Sequence, residues 1–138
     1  MTDGQSGAVL DASALLAYLR GEAGSEIVEV ALGLGAVISS VNYAEVLSRL
    51  VDVGEAPEKA DQRLRERGLL DSLLTVVPLG EDDGVTIAQL RPLTRNQGLS
   101  LGDRACLATG LRRGWPVLTA DWGWEAVDVG VTVRLIRR

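Results

Sequence analysis

The chain has 138 residues, of which 46% are hydrophobic and 24% charged, with a net charge of −5 and a sequence pI of about 4.7. This length supports one domain with a substantial core and excludes two, and the hydrophobic content excludes a disordered chain. The acidic balance argues against bulk attraction to nucleic acid or anionic lipid, and the single cysteine excludes an internal disulfide.

Short apolar runs alternate with longer helical segments along the chain. In the first half the predicted elements are a strand over 8–10, helices over 13–20 and 22–35, a strand over 36–39 and a helix over 41–53. In the second half they are a helix from Pro57, a strand over 75–77, helices over 82–91 and 102–113, a strand over 117–119 and an edge strand over 131–135. This order predicts an α/β fold, with a mainly parallel sheet and helices on both faces.

No domain boundary interrupts the pattern, so residues 1–138 are expected to form a single domain. Residues 1–7 are predicted to be a flexible leader, and the last two residues are predicted to fray. No signal peptide is visible, and no apolar stretch approaches the ~18 residues of a membrane span. We therefore expect a cytoplasmic protein without membrane contact.

Four acids occupy distinctive positions in this pattern: Asp11 in VLDASA, Glu45 in VNYAEVLSRL, Asp103 in LSLGDRACLA and Asp121 in VLTAD. Asp11 and Asp121 follow predicted strands, Glu45 lies about one turn into a helix that follows a strand, and Asp103 lies in the first turn of a helix. Sites in open α/β sheets form beyond the carboxyl ends of the strands. The spacing therefore predicts that the four carboxylates meet at one edge of the sheet.

The chemistry of such a cluster favours a metal ion. The chain has no histidine, so the usual general base is missing. Four carboxylates in one pocket cannot all stay ionised without a cation, and oxygen ligands suit Mg²⁺ or Mn²⁺. These residues predict metal-assisted hydrolysis of a phosphodiester, with Ser13 and Thr119 orienting carboxylates or water.

Each acid also has a structural interpretation. Asp11, Asp103 and Asp121 are suited to cap helix N-termini. Glu45 is spaced to form an i,i+4 ion pair with Arg49, which is worth roughly 0.3–0.5 kcal/mol on an exposed surface. Residue spacing leaves both the metal site and these structural roles open.

The segments AVLDASALLAYLRGE, ISSVNYAEVLSRL, GLSLGDRACLATGLRRGWPVLTADWGW and VTVRLI resemble those of PIN-domain ribonucleases. More narrowly, they resemble the VapC-type toxins of type II toxin–antitoxin pairs, over residues 8–136. The resemblance implies a three-layer α/β/α fold and an Mg²⁺- or Mn²⁺-dependent endoribonuclease. It also implies a cognate antitoxin that inserts a segment near the active site, and a homodimer.

The resemblance further implies an acidic quartet of Asp11, Glu45, Asp103 and Asp121. By this resemblance Asp11 and Asp103 are the principal metal ligands, and the other two complete the pocket, directly or through water. The small hydroxyl groups that accompany the first and last acids fall on Ser13 and Thr119. The implied reaction is attack of a metal-activated water on single-stranded or looped RNA.

Two other functions share parts of this pattern. A catalytically weak PIN-like domain would act mainly by binding and regulating with its antitoxin, and its acids would then be structural. An aspartyl-phosphate phosphatase needs a second Asp where Ser13 stands, and both it and a receiver domain need a late Lys. Lys59, the only lysine, lies in a charged helix, so this class is disfavoured.

Several further residues carry weaker expectations. Cys106 is expected to be a small core residue, because no base partner exists for a nucleophile. Arg112 and Arg113 are candidates for a local RNA-binding surface, with a solvated helix face as the alternative. The sequence allows Arg104 to contact either an RNA phosphate or a neighbouring acid. The tryptophans are expected to pack in the core, and any left exposed is a candidate for base stacking.

Overall fold

A five-stranded parallel sheet forms the centre of the protein in the computed structural model, which describes residues 7–138. The strands are β1 (Ala8–Leu10), β2 (Ala36–Ser39), β3 (Leu74–Val77), β4 (Val117–Thr119) and β5 (Val133–Leu135). Their order is β3-β2-β1-β4-β5, so β1 is central and β5 is the predicted edge strand. Residues 1–6, most of the predicted leader, lie outside the described residues.

Six α-helices connect the strands. They are α1 (Ala12–Arg20), α2 (Ser25–Leu34), α3 (Ser40–Asp52), α4 (Pro57–Glu66), α5 (Glu81–Leu93) and α6 (Leu101–Arg113). Helix α2 begins three residues later than predicted because Gly24 adopts a left-handed φ of 94° immediately before it. A β-carbon at Gly24 would lie 2.6 Å from the carbonyl oxygen of Ile136, so the turn is also closely packed.

Successive side chains of each strand point to opposite faces of the sheet, and this alternation divides the core into two layers. Leu10 and Ile38 pack on one face of the sheet with α1 to α4, whereas Val9 and Val37 pack on the other with α5 and α6. The result is the three-layer α/β/α fold expected from the sequence. Cys106 is fully buried in the second layer, as predicted, and burial raises the pKa of its thiol.

The topology brings several chain segments to the carboxyl edge of the sheet. Helix α1 begins directly after β1, α3 directly after β2, and the chain leaves β4 at the same edge. Helix α3 contacts both α1 and α6. Within residues 7–138, no helix is both long and apolar enough to cross a bilayer.

The carboxyl terminus departs from the expectation that it frays. The guanidinium of Arg137 donates to Glu22 Oε1 at 3.1 Å and to the carbonyl oxygen of Ala23 at 3.3 Å. Arg138 forms an ion pair with Glu125 at 2.9 Å. Charge pairing to the α1–α2 turn and to the loop after β4 therefore holds both residues.

Candidate functional site

A cavity of about 580 Å³ lies at the carboxyl edge of the sheet. Its lining contains the carboxylates of Asp11, Glu45, Asp103 and Asp121. They come from four different places in the chain: the end of β1, the second turn of α3, the first turn of α6 and the loop after β4. The parallel topology therefore groups the four acids around one space.

Asp11 is the most constrained of the four carboxylates. Its side chain is only 5% exposed. Ser13 Oγ donates to Oδ1 at 2.7 Å, the Ala14 backbone N–H donates to Oδ1 at 2.8 Å, and Thr119 Oγ1 donates to Oδ2 at 2.5 Å. Burial nevertheless outweighs these hydrogen bonds and, with a smaller contribution from the nearby charge of Asp103, raises the pKa of Asp11 to about 6.

The two hydroxyl groups also tie Asp11 to the end of β4. Ser13 Oγ accepts a hydrogen bond from the backbone N–H of Ala120 at 2.9 Å. Thr119 Oγ1 accepts one from the N–H of Asp121 at 3.1 Å. Ser13 and Thr119 thus fix the Asp11 side chain and the backbone that carries Asp121.

Glu45 is positioned by Asn42, a residue that the sequence analysis did not single out. The Asn42 amide nitrogen donates to Glu45 Oε1 at 2.8 Å and to the carbonyl oxygen of Gly102 at 2.9 Å. Its amide oxygen accepts from Ser39 Oγ at 2.6 Å, and the side chain is buried. The available signal was the i,i+3 spacing, which places a polar side chain on the same helix face as Glu45.

Asp103 and Asp121 do serve as the caps that the spacing allowed. Asp103 Oδ2 accepts from the Ser100 N–H at 2.9 Å in a capping box, and Asp121 Oδ1 accepts from the Gly123 N–H at 2.9 Å. Each cap uses one oxygen of the carboxylate. In residues 7–138, the other oxygen of each carries no protein hydrogen bond. Capping and a role in the cavity are therefore compatible.

The ion pair suggested for Glu45 and Arg49 is not formed among residues 7–138. Glu45 turns instead toward Asn42 and α6, where Gly102 leaves room for it. A β-carbon at Gly102 would lie 2.5 Å from Glu45 Oε2. The absence of a side chain at this position allows the Glu45 carboxylate to approach the first turn of α6.

Replacing Gly102 with alanine is expected to separate stability from activity. Glycine-to-alanine changes inside helices ordinarily stabilise by about 1 kcal/mol, but here the new methyl group displaces Glu45. We expect unchanged or higher thermal stability and a roughly 10- to 100-fold loss of any metal-dependent activity, as for disturbed ligand support. Thermal melts and activity assays beside Gly33→Ala, a helical glycine with open space around it, test this.

The donor set of the cavity suits a hard divalent cation. Glu45 Oε2, Asp103 Oδ1 and Asp121 Oδ2 accept no hydrogen bond from residues 7–138, and they share the cavity with Asp11. Within the same residues, no three acidic or cysteine side chains converge closely enough to form a metal cage by themselves. Carboxylate oxygens are ligands that Mg²⁺ accepts, and this ion commonly uses one or two protein carboxylates and several waters.

The arginines singled out from the sequence lie elsewhere. Arg112 donates to both carboxylate oxygens of the buried Asp83 at 3.0 Å. Arg113 lies 5.4 Å from the ring centre of Trp115. Both are at the carboxyl end of α6, which is about 14 Å along the helix from Asp103 at 1.5 Å per residue. Neither residue lines the cavity of the four acids, and a role for the pair in binding RNA stays a prediction.

Among residues 7–138, Arg104 forms no ion pair and does not line the cavity. It is buried, and its guanidinium donates to the carbonyl oxygen of Ile87 at 2.9 Å. Trp124 is fully buried and Trp115 is partly buried, as expected for packing residues. Trp122 is 66% exposed and follows Asp121 directly, so it is the tryptophan left available for base stacking.

Comparison with known protein families gives a match to this chain. The family model described as PIN domain matches residues 8–130 of the chain. No curated protein sequence matches the chain significantly. The matched region covers most of the chain and includes the four acids that line the cavity.

Solved structures resemble the protein over nearly its whole length. FitAcB from Neisseria gonorrhoeae superposes with a TM-score of 0.70 at 20% identity, covering 94% of this chain and 97% of that one. VapBC2 from Rickettsia felis, bound to a promoter DNA fragment, gives 0.69 at 14% identity, covering 93% and 97%. A toxin–antitoxin complex from Klebsiella pneumoniae gives 0.64 at 22%, covering 91% and 95%. These likenesses establish the fold, and together with the family match they show that the chain belongs to the PIN domain family.

Proposed function

We propose that the protein is a metal-dependent endoribonuclease that acts as the toxin of a toxin–antitoxin pair. PIN domains are generally nucleases. The observation that carries the proposal is the grouping of Asp11, Glu45, Asp103 and Asp121 around one cavity that offers only oxygen ligands. A structural role alone does not account for this grouping, because Ser or Asn would cap the same helices without four negative charges.

Mg²⁺ or Mn²⁺ is the proposed cofactor, held principally by Asp11 and Asp103, with Glu45 and Asp121 contributing directly or through water. A bound ion supplies charge neutralisation at the phosphate and lowers the pKa of water. The chain positions the carboxylates: Ser13 and Thr119 hold Asp11, and Asn42 holds Glu45. With no histidine in the chain, a carboxylate is the group available to accept a proton from the attacking water.

The proposed partners follow from the structural neighbours. The Klebsiella pneumoniae and Rickettsia felis structures are, by their names, a toxin–antitoxin complex and a VapBC2 complex on promoter DNA. By analogy, we propose a cognate antitoxin, a homodimeric toxin and a cytoplasmic RNA substrate for this chain. Trp122, exposed beside Asp121, is the proposed stacking surface for an RNA base.

Cleavage of total cellular RNA by the purified protein, free of antitoxin, is the test. We expect discrete fragments with Mg²⁺ or Mn²⁺ and none with EDTA. Asp103→Asn should lower the rate by roughly 100-fold or more, since about 3 kcal/mol of transition-state stabilisation corresponds to that factor. Asp128→Asn, a change of the same charge at an exposed position, is the matched control.

Folded protein that cleaves no RNA with either metal would contradict the nuclease proposal. That result would favour the alternative function, a PIN-like domain that binds and regulates with its antitoxin. Cleavage that persists in EDTA and in Asp103→Asn would instead indicate a contaminating nuclease. Mapping the fragment ends in the positive case would identify the target sequence.

A further inference from the structure

Three arginines, Arg20, Arg49 and Arg137, line the same cavity as the four acids, and Glu22 is a fifth acid of its lining. Arg20 ends α1, Arg49 lies in the last turns of α3, and Arg137 follows β5. The sequence does not indicate that they lie together, because they belong to three separate segments. Their common position makes one part of the cavity wall basic in a protein whose net charge is −5.

The acids and the arginines lie toward opposite ends of two neighbouring helices. Along α3, Arg49 is one turn beyond Glu45, about 6 Å at 1.5 Å per residue. Along α1, Arg20 is about 14 Å beyond Asp11 by the same measure. Helices α1 and α3 are in contact, so the cavity extends from an acidic end to a basic one.

Of the acids that line the cavity, only Glu22 forms an ion pair with one of these arginines, Arg137, among residues 7–138. Glu45, the nearest acid in sequence to Arg49, is bonded to Asn42 instead. Among residues 7–138, neither Arg20 nor Arg49 forms an ion pair, and both are exposed. Arg137 is anchored by Glu22 Oε1 and the carbonyl oxygen of Ala23. Within the described part of the chain, the cavity is therefore lined by two guanidinium groups without an ion pair and by one that is paired with Glu22.

A helix-dipole role does not account for the arrangement. Cations are favourable near helix carboxyl ends, and this explains Arg20 and Arg49 singly. It explains neither Arg137, which is not in a helix, nor the convergence of all three on the cavity that contains the acids. Guanidinium groups are suited to phosphate, which they bind through paired N–H donors.

We infer that Arg20, Arg49 and Arg137 bind backbone phosphates of single-stranded RNA next to the phosphodiester held at the acidic end. The inference rests on the proposed nuclease function and identifies the residues that bind the RNA backbone. It also accounts for how an acidic protein engages RNA, because local positive charge offsets the unfavourable net charge. Phosphate contacts position the strand without reading its sequence.

The test measures RNA binding separately from cleavage. Fluorescein-labelled oligouridylate and oligoadenylate are titrated by anisotropy with Mg²⁺ at several KCl concentrations, in an Asp103→Asn background that suppresses turnover. Arg20→Ala/Arg49→Ala is compared with Arg91→Ala/Arg95→Ala, which removes the same charge from exposed positions on α5 and beyond it. Thermal melts establish that both variants are folded.

We expect the Arg20/Arg49 variant to bind both oligonucleotides more weakly. Loss of two phosphate contacts should reduce the slope of log K against log salt by about 1.4, since each contact contributes about 0.7 for single strands. In the otherwise wild-type chain, the same pair should raise KM more than it lowers kcat. The Arg91/Arg95 control should leave slope and KM unchanged.

Equal RNA affinity and equal salt slope in the two double variants would overturn the inference. It would indicate instead that Arg20, Arg49 and Arg137 bind a protein partner. In that case, metal-dependent cleavage by the wild-type chain would leave the nuclease proposal standing. An altered slope in a chain that cleaves no RNA would support the phosphate surface and contradict the nuclease. Absence of both binding and cleavage would overturn both.

Discussion

Replacing Asp11 with asparagine is expected to stabilise the metal-free protein at pH 8 by roughly 3 kcal/mol while abolishing metal-dependent cleavage. In the folded protein the pKa of Asp11 is about 6, against an ordinary value of 3.8. Each pKa unit corresponds to about 1.4 kcal/mol of differential stability. Burial is the main cause, so the ionised carboxylate costs the folded state free energy that a neutral amide does not.

The direction of the pH dependence follows from the raised pKa. Because the folded state favours the protonated form, the contribution of Asp11 to stability is fully present below pH 4. It is lost as pH rises from about 4 to about 6, where the buried carboxyl group ionises. Between those pH values the free energy of unfolding of the wild type should fall relative to that of Asp11→Asn.

Denaturant unfolding in EDTA at pH 4, 6 and 8 measures this difference. Asp128→Asn, at an exposed position, is the control and should follow the wild type. Adding Mg²⁺ at pH 8 should stabilise the wild type but not Asp11→Asn, because the ion compensates the buried charge. If Asp11→Asn is less stable than the wild type at pH 8 in EDTA, the ionised Asp11 carboxylate does not destabilise the folded protein and the prediction is wrong.

Replacing Asn42 should impair both stability and cleavage. Asn42→Ala removes the donor that holds Glu45 and leaves the Gly102 carbonyl oxygen without its side-chain partner. We expect a loss of about 1–3 kcal/mol of stability from the unsatisfied buried groups. Cleavage should fall roughly 10- to 100-fold, as is typical when the support of a metal ligand is lost.

Asn42→Asp provides an isosteric test of the same contact. The new carboxylate replaces a donor with an acceptor that faces both Glu45 Oε1 and the Gly102 carbonyl oxygen. Repulsion should displace Glu45 and raise the Mg²⁺ concentration needed for half-maximal cleavage. Asn96→Ala, at an exposed position, is the control. A loss of stability without any change in metal dependence would show that Asn42 is structural only.

Local patterns were sufficient for most of the fold. The apolar runs at β1, β2 and β4 and the helical segments between them predicted the strand–helix alternation, since burial on both faces of a parallel sheet requires continuous apolar strands. The start of α2 was wrong because its position depends on the packing of Gly24 against Ile136, a residue more than a hundred positions away in the chain.

The acids and the arginines illustrate the same limit at the cavity. Asp11 and Asp121 could be assigned to one edge because each follows a strand, and parallel strands end together. Arg112 and Arg113 are candidates for an RNA surface from their clustering alone, but at the carboxyl end of α6 they contact Asp83 and Trp115 and do not line the cavity. Clustering in sequence does not report which end of a helix faces the site.

The sequence by itself therefore determined the parallel α/β fold, the buried core and the four carboxylates whose positions relative to the strands are local properties. Only the tertiary structure decided which groups support and surround them. Asn42 donates to the carbonyl oxygen of Gly102, sixty residues away. The three arginines of the cavity come from the end of α1, the last turns of α3 and the segment after β5. Such contacts depend on how separate helices pack across the sheet, and hydrophobic periodicity specifies the buried face of each helix but not its neighbours.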